Sequence, residues 1–277
     1  MTQARITGSV RVGAVVGRPI GHSLSPVIHN AWIEALGLDA AYVAFAPADD
    51  DGFRALIDAG RAGCLAGLNV TAPFKELAYQ LADEASPTAR ASGSANLLVF
   101  SEGRLSADST DGVGLLRGLD EQAPKLELAG RPVVLLGAGG AARAAAAALA
   151  GAGAEVRIVN RTHDRAVALA EEIGGGVSAW TDREAALRGA TLLVNALSAP
   201  PDLDVATLEA GATVMDMTYR PLTTPLLAAA RARGLTAVDG LSMLIGQAGP
   251  SFAAIFGVPA PDLDVRPLCL RRLGEAG

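Results

Sequence analysis

Short apolar runs typical of strands alternate along almost the whole chain with longer runs of helical periodicity. In the first part of the chain, Val10–Val16 has the continuous apolar character of a buried strand, and Pro26–Leu36 is typical of a helix that begins behind Ser25 and stops at Gly37. The further strand candidates are Ala41–Phe45, Cys64–Val70 and Asn96–Phe100, with helical candidates at Gly52–Ala59 and Phe74–Ala82. This order predicts a largely parallel sheet with helices on its faces.

A second series of the same kind follows the polar stretch Glu121–Gly130. Its predicted strands are Pro132–Leu136, Glu155–Val159, Thr191–Asn195, Thr213–Met217 and Gly234–Val238, and its predicted helices are Gly140–Ala150 and His163–Ile173. The pattern therefore predicts an α/β protein of two domains, at residues 1–112 and 113–240. A helix that begins near Leu241 can belong to either domain on pattern alone.

Composition and charge narrow the class of protein. Of 277 residues, 50% are hydrophobic, which excludes a disordered chain, and the net charge of −6 disfavours general binding to nucleic acid or to anionic membranes. The N-terminal MTQARITGSV lacks the apolar core of a signal peptide, and no apolar run reaches the roughly 20 residues of a membrane span. We therefore expect a cytoplasmic protein, with monomer and homodimer both open.

The cysteines and histidines do not form a metal-binding pattern. Cys64 and Cys269 lie far apart, and His22, His29 and His163 lack the spacing of metal ligands. We therefore expect two reduced thiols and no metal.

A glycine-rich segment follows the strand Pro132–Leu136 and opens the next helix. It reads Gly137-Ala138-Gly139-Gly140-Ala141-Ala142 and fits G-x-G-x-x-A. The first glycine permits a tight turn, the second lets the backbone approach a pyrophosphate, and the small last residue allows close packing of helix on strand. Although a structural turn is the alternative, the strand before and the helix after favour a dinucleotide site.

The residues at the end of the next strand indicate which dinucleotide the site binds. It carries Asn160-Arg161-Thr162, and Arg165 follows. An NAD-selective site usually has an acidic residue here, whereas a guanidinium group can bind a 2′-phosphate. The pattern favours NADP over NAD, with a solvated arginine as the alternative.

Two hydroxyls lie in the first strand-to-helix connection, Gly17–Pro26. Ser25 before Pro26 is an ordinary helix N-cap, and that role alone can explain it. Ser23 has no such explanation, and two hydroxyls beside a helix N-terminus are a plausible site for a small carboxylate.

The scarcity of lysine draws attention to Lys75. Of the 23 basic residues only two are lysines, Lys75 and Lys125. Polar Asn69 and Thr71 end a strand, Pro73 is predicted to open a helix, and Lys75 falls in its first turn, where a cation opposes the helix dipole. Lysine can exchange a proton, whereas arginine effectively cannot, so Lys75 is a candidate acid–base residue, with a solvated surface lysine as the alternative. Asp111 is its candidate carboxylate partner, or a helix N-cap.

Together these segments resemble the shikimate dehydrogenase family. The matching motifs, in family order, are GRPIGHSLSPVIHN (17–30), GLNVTAPFK (67–75), SGSANLLV (92–99), STDGVG (109–114), GAGGAARA (137–144), NRT (160–162), DMTYRPLTTPLL (216–227) and DGLSMLIGQA (239–248). The resemblance implies a substrate domain and a Rossmann domain that enclose a cleft, with helices of 241–277 packing back onto the substrate domain. It also implies reversible reduction of 3-dehydroshikimate to shikimate with NADPH.

The resemblance also implies residue roles. Lys75 and Asp111 would be the catalytic pair, and Ser23 and Ser25 would hold the substrate carboxylate. The remaining substrate contacts would be Thr71, Asn96, Tyr219 and Gln247. The cofactor would be bound by Gly137, Ala138, Gly139, Gly140 and Ala141, by Asn160, Arg161, Thr162 and Arg165 at the 2′-phosphate, and by Met217 and Gly240 at the nicotinamide.

Some positions depart from the family pattern. Leu97 and Leu197 replace threonines, Ser109 replaces asparagine, Ser242 replaces glycine, and Pro200-Pro201 replace a small loop. They leave a quinate, aminoshikimate or other shikimate-like dehydrogenase as an alternative. A non-catalytic binding protein of this fold is disfavoured because Lys75 and Asp111 are present. A methylene-tetrahydrofolate dehydrogenase is disfavoured by the Ser-x-Ser loop and the Asn-Val-Thr…Lys segment.

Overall fold

The computed structural model of the chain describes residues 6–275. The chain divides into two compact units: unit 1 combines the residues up to Thr110 with those from Gln247 onward, and unit 2 is Asp111–Gly246. These breaks lie near the predicted ends at residues 112 and 240.

Unit 1 is built on a mixed sheet. Its elements before Thr110 are β1 (Arg11–Val16), α1 (Ser25–Leu36), β2 (Ala40–Phe45), α2 (Asp50–Arg61), β3 (Gly67–Val70), α3 (Lys75–Leu81), β4 (Glu84–Ala85), α4 (Pro87–Ser92), β5 (Leu97–Ser101) and β6 (Arg104–Asp108). The strand order is β2-β1-β3-β5-β6-β4. β1 is parallel to both β2 and β3, whereas β5 is antiparallel to β3 and to β6. β5 and β6 form a hairpin, which sequence reasoning did not predict.

Unit 2 is a doubly wound parallel sheet. Its elements are α5 (Asp111–Gln122), β7 (Pro132–Leu136), α6 (Gly140–Gly151), β8 (Glu155–Val159), α7 (His163–Ile173), β9 (Gly176–Ser178), α8 (Arg183–Ala186), β10 (Leu192–Asn195), β11 (Thr213–Asp216), α9 (Pro225–Ala232) and β12 (Thr236–Val238). The order β12-β11-β10-β7-β8-β9 changes direction between β7 and β10. In open sheets of this kind ligands bind at the carboxyl ends of the strands beside that point, where the glycine-rich turn after β7 lies.

Two further helices complete the described chain, α10 (Gly240–Phe256) and α11 (Arg266–Leu273). α10 crosses the division between the units, which falls between Gly246 and Gln247 inside this helix. The prediction from pattern treated this helix as belonging to one domain or the other. By this division, the one continuous helix contributes residues to both units.

The described residues contain neither a membrane-spanning helix nor a metal-binding cluster. In residues 6–275, no helix combines the length and the apolar character needed to cross a bilayer. Within the same range, His, Cys, Asp and Glu side chains form no group of three or more arranged to hold a metal ion.

Candidate active site

The connection between β1 and α1 carries Ser23 and Ser25. Ser25 is the first residue of α1 and is buried, and its N–H donates a hydrogen bond to Ser23 Oγ at 3.3 Å. The interpretation of Ser25 as an N-cap is wrong, because Leu24 holds the N-cap position and no side-chain cap hydrogen bond forms. Capping therefore does not account for Ser25, and its predicted role in binding a carboxylate remains a prediction.

Thr71 follows β3, and Lys75 begins α3. The prediction that Pro73 opens this helix is wrong: Pro73 lies in the preceding turn, and Phe74 is the N-cap. The carbonyl oxygen of Lys75 accepts a hydrogen bond from the Ala95 N–H at 2.9 Å. This bond fixes the start of α3 next to the segment that leads into Asn96.

Asn96 and Gln247 meet in the interior of unit 1, although 151 positions separate them. Asn96 Oδ1 accepts from the Thr110 N–H at 2.7 Å, and Asn96 Nδ2 donates to Thr110 Oγ1 at 2.9 Å. Gln247 Oε1 lies 3.4 Å from Asn96 Nδ2 and 3.3 Å from Thr110 Oγ1. The fold thus joins two predicted substrate residues through Thr110, a residue that sequence reasoning passed over.

Asp111 lies in the first turn of α5 and is buried. The helix packs very closely on α6: a Cβ on Gly112 would lie 2.8 Å from Ala148 Cβ and 3.1 Å from the Ala144 carbonyl oxygen. Only glycine fits this crossing, which fixes the helix end that carries Asp111. The alternative interpretation, an N-cap, would place Asp111 before the helix, whereas the structure places it inside.

The turn between β7 and α6 has the shape that its glycines predict. Gly137 has φ +114°, and a Cβ there would lie 3.2 Å from the Ala196 carbonyl oxygen and 3.6 Å from Ala142 Cβ. Gly139, the N-cap of α6, has ordinary extended angles and would meet no atom within 4 Å. The first glycine is thus required by the fold itself. The second leaves open space at the helix N-terminus, and helix N-termini of this kind can bind phosphate groups.

Asn160, Arg161, Thr162 and Arg165 lie together around the start of α7. Asn160 Nδ2 donates to the Thr162 carbonyl oxygen at 2.9 Å, which shapes the connection. Arg161 Cζ lies 5.2 Å from the ring centroid of Trp180, within cation–π range.

The charge of Arg161 is not neutralised within the described part of the chain, where it forms no ion pair. Arg183, by contrast, contacts the same indole at 5.3 Å and lies 3.8 Å and 3.9 Å from carboxylate oxygens of Glu184 and Asp202. The guanidinium group of Arg161 is therefore held by a cation–π contact with Trp180, and its charge is available to bind an anion. Sequence reasoning did not identify Trp180.

The loop after β11 carries Met217 and Tyr219. It is held by buried Asp216, whose Oδ1 accepts hydrogen bonds from Asn195 Nδ2 at 3.1 Å and from the Thr218 N–H at 3.0 Å. A Cβ on Gly240 would lie 2.4 Å from the Met217 carbonyl oxygen. The two residues predicted at the nicotinamide, Met217 and Gly240, are therefore in direct contact.

Comparison with known proteins identifies the family. A model described as the shikimate dehydrogenase substrate binding domain matches residues 15–98, and one described as shikimate/quinate 5-dehydrogenase matches residues 120–212. A shikimate dehydrogenase (NADP(+)) of Caulobacter vibrioides is 52% identical over 286 aligned positions, which cover 99% of this chain and 100% of the relative. The chain belongs to the shikimate dehydrogenase family.

Solved structures agree with this assignment. Shikimate 5-dehydrogenase from Thermus thermophilus, in complex with NADP(H) and shikimate, is similar with a TM-score of 0.84 and 38% identity, covering 95% of this chain and 99% of that one. Quinate dehydrogenase from Corynebacterium glutamicum, in complex with NAD, is similar with a TM-score of 0.82 and 30% identity, covering 96% and 98%. The predicted fold class, an α/β substrate domain with a Rossmann domain, is confirmed.

The departures from the shikimate dehydrogenase pattern fall into different environments. Leu97 is a buried residue of β5, and Leu197 packs against an apolar cluster of unit 2. Ser242 Oγ accepts a hydrogen bond from Gln122 Nε2. Ser109 Oγ is buried without a hydrogen-bond partner among the described residues. Packing explains the two leucines, and a hydrogen bond within unit 2 accounts for Ser242.

Proposed function

We propose that this protein catalyses the reversible, NADP-dependent interconversion of shikimate and 3-dehydroshikimate. The full-length relationship to the shikimate dehydrogenase (NADP(+)) of Caulobacter vibrioides carries this proposal, because 52% identity extends over both whole chains. Unit 1 would bind the substrate and unit 2 the dinucleotide.

The residues proposed to bind shikimate suit a small acid with several hydroxyl groups. Ser23 and Ser25 hold the carboxylate beside the N-terminus of α1. Hydroxyl and amide groups can donate and accept, as the hydroxyls of the substrate require, and such groups are supplied by Thr71, Asn96, Tyr219 and Gln247. The mutual hydrogen bonds of Asn96, Thr110 and Gln247 support this role because they orient the amides before substrate arrives.

We assign the proton transfer to Lys75 and Asp111. In the oxidation direction the substrate hydroxyl gives its proton to a neutral Lys75 Nζ, and in reduction the protonated amine returns it to the carbonyl oxygen. Asp111 orients the reacting group, and its negative charge affects how readily Lys75 exchanges the proton. A dinucleotide held by the cofactor residues of unit 2 would supply the hydride as NADPH in the reduction and would accept it as NADP+ in the oxidation.

Three groups of residues in unit 2 would bind three different parts of the dinucleotide. The pyrophosphate lies against the turn formed by Gly137, Ala138, Gly139, Gly140 and Ala141, and the open space beside Gly139 supports this assignment. The adenosine 2′-phosphate is bound by Asn160, Arg161, Thr162 and Arg165. Met217 and Gly240 line the nicotinamide.

The test is an assay of the purified protein with shikimate and quinate, each against NADP and NAD. We expect NADP reduction with shikimate and a much lower kcat/KM with quinate or with NAD. A higher kcat/KM with quinate than with shikimate would show that quinate is the substrate. The absence of turnover with every pair of substrate and cofactor would contradict an enzymatic function.

We further propose that the protein acts in the cytoplasm, as a monomer or a homodimer, without nucleic acid as a partner. The acidic charge balance and the two free cysteines support this. Cell fractionation, light scattering after size exclusion and a nucleic-acid gel-shift assay test the three parts separately.

A further inference from the structure

Tyr42 is fixed in the interior of unit 1 by its backbone and by its ring. Its N–H donates to Asn30 Oδ1 at 3.0 Å, and Asn30 Nδ2 donates to its carbonyl oxygen at 2.8 Å. Its ring stacks on His29, with centroids 4.0 Å apart and planes inclined by 7°. The phenol therefore has little freedom to move, and its hydroxyl occupies a defined position.

The hydroxyl of Tyr42 determines how the amide of Asn69 is turned. Tyr42 OH donates to Asn69 Oδ1 at 2.7 Å, and burial raises the pKa of Tyr42, which keeps the phenol protonated as a donor. With Oδ1 directed to Tyr42, Asn69 Nδ2 donates to the Asn96 carbonyl oxygen at 3.2 Å and to Ser251 Oγ at 2.9 Å. A flip of this amide would replace both donors with an acceptor.

The two groups that Asn69 contacts belong to the segments that carry Asn96 and Gln247. One is the backbone of Asn96 itself. The other, Ser251 Oγ, donates to the Gln247 carbonyl oxygen at 3.1 Å and lies 3.2 Å from Thr110 Oγ1. Asn69 thus touches the backbone of one proposed substrate residue and the helical turn of the other.

We propose that Tyr42 is a positioning residue for substrate binding, which acts through the Asn69 amide on Asn96 and Gln247. The inference rests on the proposed function, since Asn96 and Gln247 are substrate contacts only under that proposal. Tyr42 would not touch the substrate. Its effect follows from the cost of leaving a buried amide oxygen without a donor, which the amide can relieve only by turning away from Asn96 and Ser251.

The decisive variant is Tyr42→Phe, which removes one oxygen and keeps the stacked ring. We expect the dissociation constant for shikimate, measured by calorimetry, to rise about five- to tenfold, as for a lost buried hydrogen bond. The dissociation constant for NADP should stay within about twofold, because the cofactor residues lie in unit 2. The matched control is Tyr79→Phe, which removes a phenolic oxygen from α3 outside this network and should leave both constants unchanged.

A second variant connects the effect to the Asn69 amide. Ser251→Ala removes one of the two acceptors of Asn69 Nδ2 and should also weaken shikimate binding. In the double variant Tyr42→Phe/Ser251→Ala, the losses should be clearly less than additive if both act by turning the same amide. If Tyr42→Phe does not fold, Ser251→Ala alone carries the test: unchanged shikimate binding in that variant would overturn the inference.

The outcomes separate this inference from the proposed function. Unchanged shikimate binding in Tyr42→Phe, or an equal loss of shikimate and NADP binding, would overturn the positioning role while leaving the enzymatic assignment intact. Failure of the unmodified protein to bind or oxidise shikimate would instead overturn the proposed function, and the inference with it.

Discussion

The imidazole of His29 lies flat against the phenol ring of Tyr42, with both of its nitrogens buried and without hydrogen-bond partners among the described residues. Complete burial lowers the pKa of His29 to about 3 from its ordinary 6.5. The folded protein therefore holds this histidine neutral, whereas the unfolded chain takes up a proton below pH 6.5. The contribution of neutral His29 to the free energy of unfolding is fully present above pH 6.5 and is lost progressively as the pH falls towards about 3.

We predict that His29→Phe flattens the acid side of the stability profile. Phenylalanine keeps the stacked ring and removes the group that must be neutral. At pH 5 the native protein should have lost about 2 kcal/mol through His29, at ~1.4 kcal/mol per pH unit below 6.5, and the variant should not show this loss. Urea unfolding at pH 7 and pH 5 measures the difference. His22→Phe, at an exposed histidine, is the control, and parallel profiles for His29→Phe and the native protein would contradict the prediction.

Lys75→Ala should lower kcat for shikimate oxidation about 10²- to 10⁴-fold, as for loss of a general base, and should leave the KM for NADP within about twofold. Steady-state kinetics with purified variants measure both. The chain offers a matched control in its only other lysine, since Lys125→Ala removes the same charge from an exposed position in unit 2. Near-normal turnover in Lys75→Ala would remove this residue from the mechanism.

Five of the six strands of the doubly wound unit were predictable from sequence because each is a short, largely apolar run followed by a turn, whereas β9 (Gly176–Ser178) is too short and too polar to give that signal. The bounds of Pro132–Leu136, Glu155–Val159 and His163–Ile173 agree between pattern and structure. Two of the elements that escaped prediction, α5 and β6, lack such a pattern. α5 contains three glycines, yet it forms because those glycines allow close packing: a Cβ on Gly118 would lie 3.1 Å from the Met243 backbone nitrogen. β6, with charged residues at both ends, forms because it pairs with β5.

The candidate site shows the same division. Residues in local motifs, such as Lys75 and the glycine-rich turn, can be identified from the sequence. The residues proposed to orient Asn96 and Gln247 cannot, since the hydrogen bond between Asn69 and Ser251 joins positions 182 apart and has no local signature. The position of Asn69 at the end of a predicted strand was visible in the sequence, but it did not indicate the partners of the side chain.

The first two glycines of the glycine-rich turn should respond differently to the same substitution. Gly137→Ala should lower the free energy of unfolding by about 1–3 kcal/mol, because φ +114° and the Ala196 carbonyl oxygen both oppose a side chain. Gly139→Ala should change stability by less than about 0.5 kcal/mol but raise the dissociation constant for NADP at least about tenfold, because its methyl group enters the space proposed for the pyrophosphate.

Denaturant unfolding and NADP titration of each variant measure these effects. Gly151→Ala, at the last residue of α6, also meets no atom within 4 Å and should affect neither property adversely. Unimpaired NADP binding in Gly139→Ala would argue against the proposed course of the pyrophosphate.

Arg161 should decide the choice between NADP and NAD. Arg161→Gln removes a guanidinium group that lies within cation–π distance of Trp180 and has no ion pair with the described residues, so its loss should weaken mainly the binding of the 2′-phosphate. We expect kcat/KM with NADP to fall about 10- to 100-fold, the value of a charge-assisted hydrogen bond, while kcat/KM with NAD stays within about twofold. Trp180→Leu should lower kcat/KM with NADP by a smaller factor, because the charge of Arg161 remains but the cation–π contact that positions it is lost. Arg188→Gln removes an exposed arginine elsewhere in unit 2 and serves as control; equal losses with NADP and NAD in Arg161→Gln would show that this residue does not read the phosphate.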